Sequence, residues 1–104
     1  MDIQELRREA QTMQPQLTAD RRRLHRNPEA GAVLPETVAY VKERLTEMGY
    51  HPQELGGGLT ATVTGTDTGR CILLRADMDA LRGQEQSGLS FRSENGCMHA
   101  CGHD

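Results

Sequence analysis

The 104-residue sequence has no tryptophan, and its only aromatic residues are Tyr40, Tyr50 and Phe91. Leucine, isoleucine, valine and phenylalanine together supply just 18 positions. So low a share signals disorder only when net charge is high; here the formal charge is −3. The composition therefore describes a globular chain with a thin core, one that needs further protein to pack against. No apolar run reaches the length of about 18 residues needed to span a bilayer. The polar start, MDIQELRREAQ, is not a secretory leader. Lysine and arginine do not exceed aspartate and glutamate, so there is no electrostatic footprint for nucleic acid. Three cysteines cannot all pair with one another, which argues against a disulfide framework and for a reducing compartment, the cytoplasm by default.

What is present begins with helices. Ile3, Leu6, Ala10, Met13, Leu17 and Leu24 recur at helical spacing over residues 2–27, with Pro15 inside the run. The spacing predicts an amphipathic helix that the proline kinks or splits, closed by Asn27-Pro28. Arg21, Arg22 and Arg23 read as the solvated end of that helix, where positive charge suits the dipole. A second helix is bounded by Pro35 and Gly49, with Glu36 in its first turn. Val38, Val41, Leu45 and Met48 form its core face.

Gly56-Gly57-Gly58 breaks the chain and lacks the pattern of a phosphate cradle. Next, LTATVTG (59–65) alternates as a half-buried strand does. After turn residues Asp67 and Gly69, RCILLRADM (70–78) carries four consecutive apolar residues. That suits a central strand covered on both faces, with Cys71 as an inert core thiol. The two runs read as a hairpin, and residues 80–96 as a loop. The expected class is α/β: two N-terminal helices packed on a small sheet.

Chemistry concentrates at the end of the chain. Four of the seven cysteines and histidines, Cys97, His99, Cys101 and His103, fall within CMHACGHD, beside Asp104. Thiolate, imidazole and carboxylate are ligands of a borderline transition metal. Spacing of two residues cannot put ligands on one helix face, but a tightly turned segment can, and Gly102 permits the turn. The alternative is a set of polar residues at a frayed terminus. A second constellation, Asp77 and Asp79, follows the apolar run, where α/β folds build their sites. Such carboxylates can orient a metal-bound imidazole or simply end a strand. His25 reads as a helix-surface histidine and His51 as a solvated loop residue.

LHRNPEAG (24–31), LLRADMDAL (73–81) and MHACGHD (98–104), in this order and spacing, resemble the amidohydrolases of metallopeptidase family twenty. That group includes hippurate hydrolase, N-acyl-amino-acid amidohydrolases and related carboxypeptidases. The resemblance implies that residues 1–104 are the N-terminal part of a zinc-peptidase-like catalytic domain, with the lid domain and C-terminal part absent. It makes Cys101 and His103 the first two ligands of a centre of two divalent ions, manganese or zinc. It makes Asp79 an aspartate that orients the metal-site histidines, and leaves the role of Asp77 open. The general-base glutamate and the remaining ligands would lie beyond Asp104. Where such enzymes usually read D-A-L-P-I, this chain has Leu81-Arg82-Gly83, although Glu85 stands where an acidic residue is common.

The implied activity is metal-dependent hydrolysis of the amide bond of an N-acyl amino acid or small peptide. The substrate is a small molecule, with no nucleic-acid or membrane partner, and the full-length parent is a candidate homodimer. The 104-residue chain alone is expected to be inactive. The rivals are a small non-catalytic metal-binding module and an inactive truncated remnant.

Overall fold

A computed structural model describes residues 2–66 and 69–103. It contains three helices and two small two-stranded sheets rather than two helices on one sheet. Helix α1 (Ile3–Thr12) opens on Asp2, whose carboxylate accepts the Gln4 amide at 3.2 Å. It stops at Met13, and α2 (Gln14–Arg26) starts at once with Pro15 in its first turn. The proline splits the run because it has no N–H to give the preceding turn. The apolar stripe of α1 is unburied, so its periodicity reports a face without a partner among the described residues.

Helix α3 (Pro35–Glu47) has no capping side chain at Leu34. Its free amides are met from a distance: Glu29 accepts from Glu36 N at 3.3 Å and Thr37 N at 2.6 Å. Burial works against the charged Glu29, but the hydrogen bonds from Thr37 and the Glu36 amide prevail and hold its pKa below the ordinary glutamate value. The helix ends as expected at Gly49, whose φ of 90° is left-handed.

The glycine run forms a hairpin turn. Strands β1 (Gln53–Leu55) and β2 (Gly58–Thr60) pair antiparallel, Gln53 opposite Thr60, with Gly56 and Gly57 both at positive φ between them. This is the turn whose twist matches that of the flanking strands. A Cβ on Gly57 would sit 2.7 Å from the Ala32 carbonyl oxygen, so both space and φ demand glycine there.

The hairpin expected between 59–65 and 70–78 does not form among the described residues. Only Leu59 and Thr60 of the first run are in a strand, and they pair backwards with 53–55. The turn residue Asp67 lies outside the described residues. Residues 70–78 are neither strand nor buried: Ile72, Leu73 and Leu74 are 86%, 89% and 90% exposed, and Cys71 is exposed too. The central-strand and core-thiol readings are both corrected. An extended segment becomes a strand only when a neighbour satisfies its amides and carbonyls, and no described strand pairs with this one.

Order returns at Ala80. It is buried, makes a parallel bridge with Ala30, and donates its amide to the Glu29 carbonyl at 2.8 Å. Strand β3 (Leu81–Arg82) then pairs antiparallel with β4 (Cys97–Met98). The buried centre is small: Pro28, Leu34, Thr37, Val38, Ala80, Glu85 and Ser93. The radius of gyration is 15.9 Å, against roughly 13 Å for a compact domain of 100 residues. That excess fits the uncovered segments.

Candidate metal centre

The segment carrying the expected ligands is anchored at its base. Strand β4 fixes Cys97 against Arg82 and Met98 against Leu81. The Gly83 amide donates to the Gly96 carbonyl at 2.9 Å, and the Ser93 hydroxyl donates to the Cys97 carbonyl at 2.5 Å. The Asn95 side chain works in two directions: its carbonyl accepts the Cys97 amide at 3.1 Å and its NH2 donates to the Pro28 carbonyl at 2.8 Å. The segment 97–103 thus leaves a short ladder whose foot is tied to the LHRNPEAG motif.

That motif is largely structural. Pro28 is fully buried, Glu29 caps α3, and Asn27 donates to the Arg23 carbonyl at 2.9 Å. His25 is not the surface residue the sequence suggests. Its Nε2 donates to Glu85 Oε1 at 2.8 Å, and its side chain is mostly buried. The ring meets Phe91 edge-on at 5.6 Å and lies 6.5 Å from His99. Glu85 also accepts from Ser87 Oγ at 2.5 Å and from the Ser93 amide at 3.1 Å. The Ser87 hydrogen bond and then the Ser93 amide are the main causes that hold its carboxyl pKa below the ordinary value.

Of the expected site residues, Cys101 and His103 are both exposed. His103 Nδ1 stands 3.3 Å from Asp77 Oδ2, and Arg75 pairs with the other oxygen, Oδ1, at 2.6 Å. Asp79 is exposed, and it is Asp77 that meets the histidine. Asp104 lies outside the described residues. Among the described residues, no three His, Cys, Asp or Glu side chains stand close enough to share a metal ion. The donors nonetheless suit one: thiol and imidazole are borderline ligands, and a carboxylate behind an imidazole is the usual support of a metal-bound histidine. His25, Asp77, His99 and His103 also line one cavity of about 280 Å³, with Arg21 and Met78 on its wall. Sequence reasoning missed the His25–Glu85 pair because its members are sixty positions apart. The acidic residue at 85 was its only signal.

Residues 73–104 match peptidase family M20/M25/M40. Its sequence is 44% identical over 96 residues to the N-acetyl-L-cysteine deacetylase of Bacillus subtilis, covering 89% of this chain and 23% of that enzyme. It is 37% identical over 109 residues to the N-acyl-L-amino acid amidohydrolase of Geobacillus stearothermophilus, covering 100% of this chain and 29% of the relative. Thermostable carboxypeptidase 2 of Saccharolobus solfataricus is 37% identical over 106 residues, 98% of this chain and 27% of its own. The chain thus spans about a quarter of the length of the curated relatives it matches. No solved structure matches it. The family implies a zinc-peptidase-like fold and generally a binuclear metal centre. No helix among the described residues is long and apolar enough to cross a membrane.

Proposed function

We propose that this chain supplies the first two ligands of a metal-dependent amidohydrolase acting on N-acyl amino acids or small peptides. The observation that carries the reading is the placement of His103 against Asp77 at the end of a segment anchored by β4. Cys101 and His103 would hold divalent metal, manganese or zinc. When bound, the pair of ions supplies Lewis acidity and a lowered pKa for a water molecule. This chain's residues orient and hold. The carboxylate of Asp77 would hold a proton on His103 Nδ1, so that Nε2 would be the nitrogen offered to a metal. Asp79, two residues on, remains the aspartate that the family pattern assigns to orientation. The proton-transferring carboxylate and the remaining ligands would come from protein outside these residues, so the 104-residue chain should not turn over substrate by itself. The site is proposed to work in the cytoplasm, in a parent that can pair as a homodimer.

The test is a hybrid in which this chain replaces the matching quarter of the Geobacillus amidohydrolase. Metal content and hydrolysis of a panel of N-acyl amino acids are measured with Cys101 and with Cys101→Ala. The hybrid should hold metal and hydrolyse, and the alanine variant should lose both. A folded hybrid without metal, or an alanine variant of equal activity, would overturn the assignment.

A further inference from the structure

We propose that Glu85 is a positioning residue for the metal-ligand segment, acting through Ser93 on the backbone of Cys97. The inference rests on the metal reading above and extends it to a residue that touches neither metal nor substrate. The geometry is a continuous chain of hydrogen bonds. His25 Nε2 on α2 donates to Glu85 Oε1 at 2.8 Å, and the same oxygen accepts the Ser93 amide at 3.1 Å. The Ser93 hydroxyl then donates to the Cys97 carbonyl at 2.5 Å. Ser87 Oγ occupies the second oxygen, Oε2, at 2.5 Å.

Burial makes this chain matter. The Glu85 side chain is 3% exposed and Ser93 is 1% exposed. A carboxylate so enclosed is tolerable only because three donors converge on it. Each donor comes from a different place: the end of α2, the loop beyond Glu85, and the approach to β4. Removing the carboxylate therefore frees the Ser93 amide and breaks the bond that ties His25 Nε2 to Glu85. The Ser93 hydroxyl then grips the Cys97 carbonyl from an unanchored residue, and the segment relies on the β3–β4 ladder and on the Asn95 bond to the Cys97 amide. Because Cys97 lies four residues before Cys101, a shift there moves both expected ligands together. His25 reaches the same segment a second way, through its ring beside His99. The LHRNPEAG motif is thus coupled to the ligand segment without contributing a ligand.

The experiment uses the full 104-residue chain and compares wild type, Glu85→Ala, Glu85→Gln and Ser93→Ala. Amide hydrogen exchange is followed across residues 97–101 and, as an internal control, across α3. Cobalt(II) uptake is followed by the thiolate-to-metal absorption band. Glu85→Ala and Ser93→Ala should each speed exchange at 97–101 about tenfold with α3 unchanged, and weaken cobalt binding about tenfold. Glu85→Gln, which keeps an acceptor oxygen, should recover most of both. If Glu85→Ala loses α3 as well, Ser93→Ala decides, since it keeps the amide bond to Glu85 and removes only the grip on Cys97. Unchanged exchange at 97–101 in Ser93→Ala would overturn the proposal. So would faster exchange with an unaltered cobalt spectrum and affinity, which would mark a merely structural role. A wild-type chain that takes up no cobalt would overturn the metal reading instead, while the exchange comparison would still decide whether Glu85 positions the segment.

Discussion

His25 and Glu85 meet at 2.8 Å across sixty residues of sequence, joining the end of α2 to the loop that precedes β4. This pair does for the approach to β4 what Glu29 does for α3: a buried or half-buried carboxylate gathers several donors at one point. Both glutamates are therefore sites where protonation should be felt.

Their pKa values are both depressed in the folded chain. The native state therefore binds fewer protons than the unfolded state near and below the ordinary glutamate value of about 4.3. The stability they contribute is present above that value and is lost as pH falls through the folded pKa values. Melting temperature followed from about pH 7 to about pH 3 should fall on the acid side, and Glu85→Gln should flatten that fall. A variant curve parallel to wild type would contradict the assignment.

The β1–β2 hairpin should be intolerant at one glycine. Gly57→Ala combines a left-handed φ with a Cβ 2.7 Å from the Ala32 carbonyl oxygen. The conformational part alone costs about 1–2 kcal/mol. The denaturation midpoint should drop accordingly, whereas Gly49→Ala, whose Cβ meets nothing within 4 Å, should lose only the conformational part.

The segment at 72–74 should make the purified chain associate. Three large apolar side chains lie almost wholly in solvent, on a stretch that no described strand pairs with, and such edges invite pairing with another chain. Sedimentation velocity should show concentration-dependent species. Ile72→Thr with Leu74→Lys should return the chain towards monomer.

Which aspartate supports His103 can be read in the hybrid enzyme. Loss of a carboxylate behind a metal-bound histidine commonly costs 10–100-fold in metal affinity or activity. Asp77→Asn should show a loss of that order because Asp77 is the residue in contact with His103. An effect confined to Asp79→Asn would return the orienting role to Asp79.

The sequence by itself determined what depends on neighbours along the chain. Pro15 splits the first helix because a missing N–H acts within one turn, and Pro35 and Gly49 bound α3 for similarly local reasons. It also marked the proposed ligand segment, since clustering of cysteine and histidine is visible without any fold. Tertiary structure decided everything that needs a distant partner. The run at 71–74 has the composition of a buried strand, yet it is exposed here, because a strand needs neighbours on its edges and faces and none of the described residues supplies them. Glu54 and Leu59 pair in a hairpin that the alternation at 59–65 had assigned elsewhere, because two consecutive glycines at positive φ fix the turn and hence the register. His25 is ordinary as a helix residue; only the approach of Glu85, sixty residues on, turns its ring nitrogen into part of a buried network. Such a contact depends on how α2 and the β3–β4 ladder are brought together in space, and no spacing along the chain encodes it.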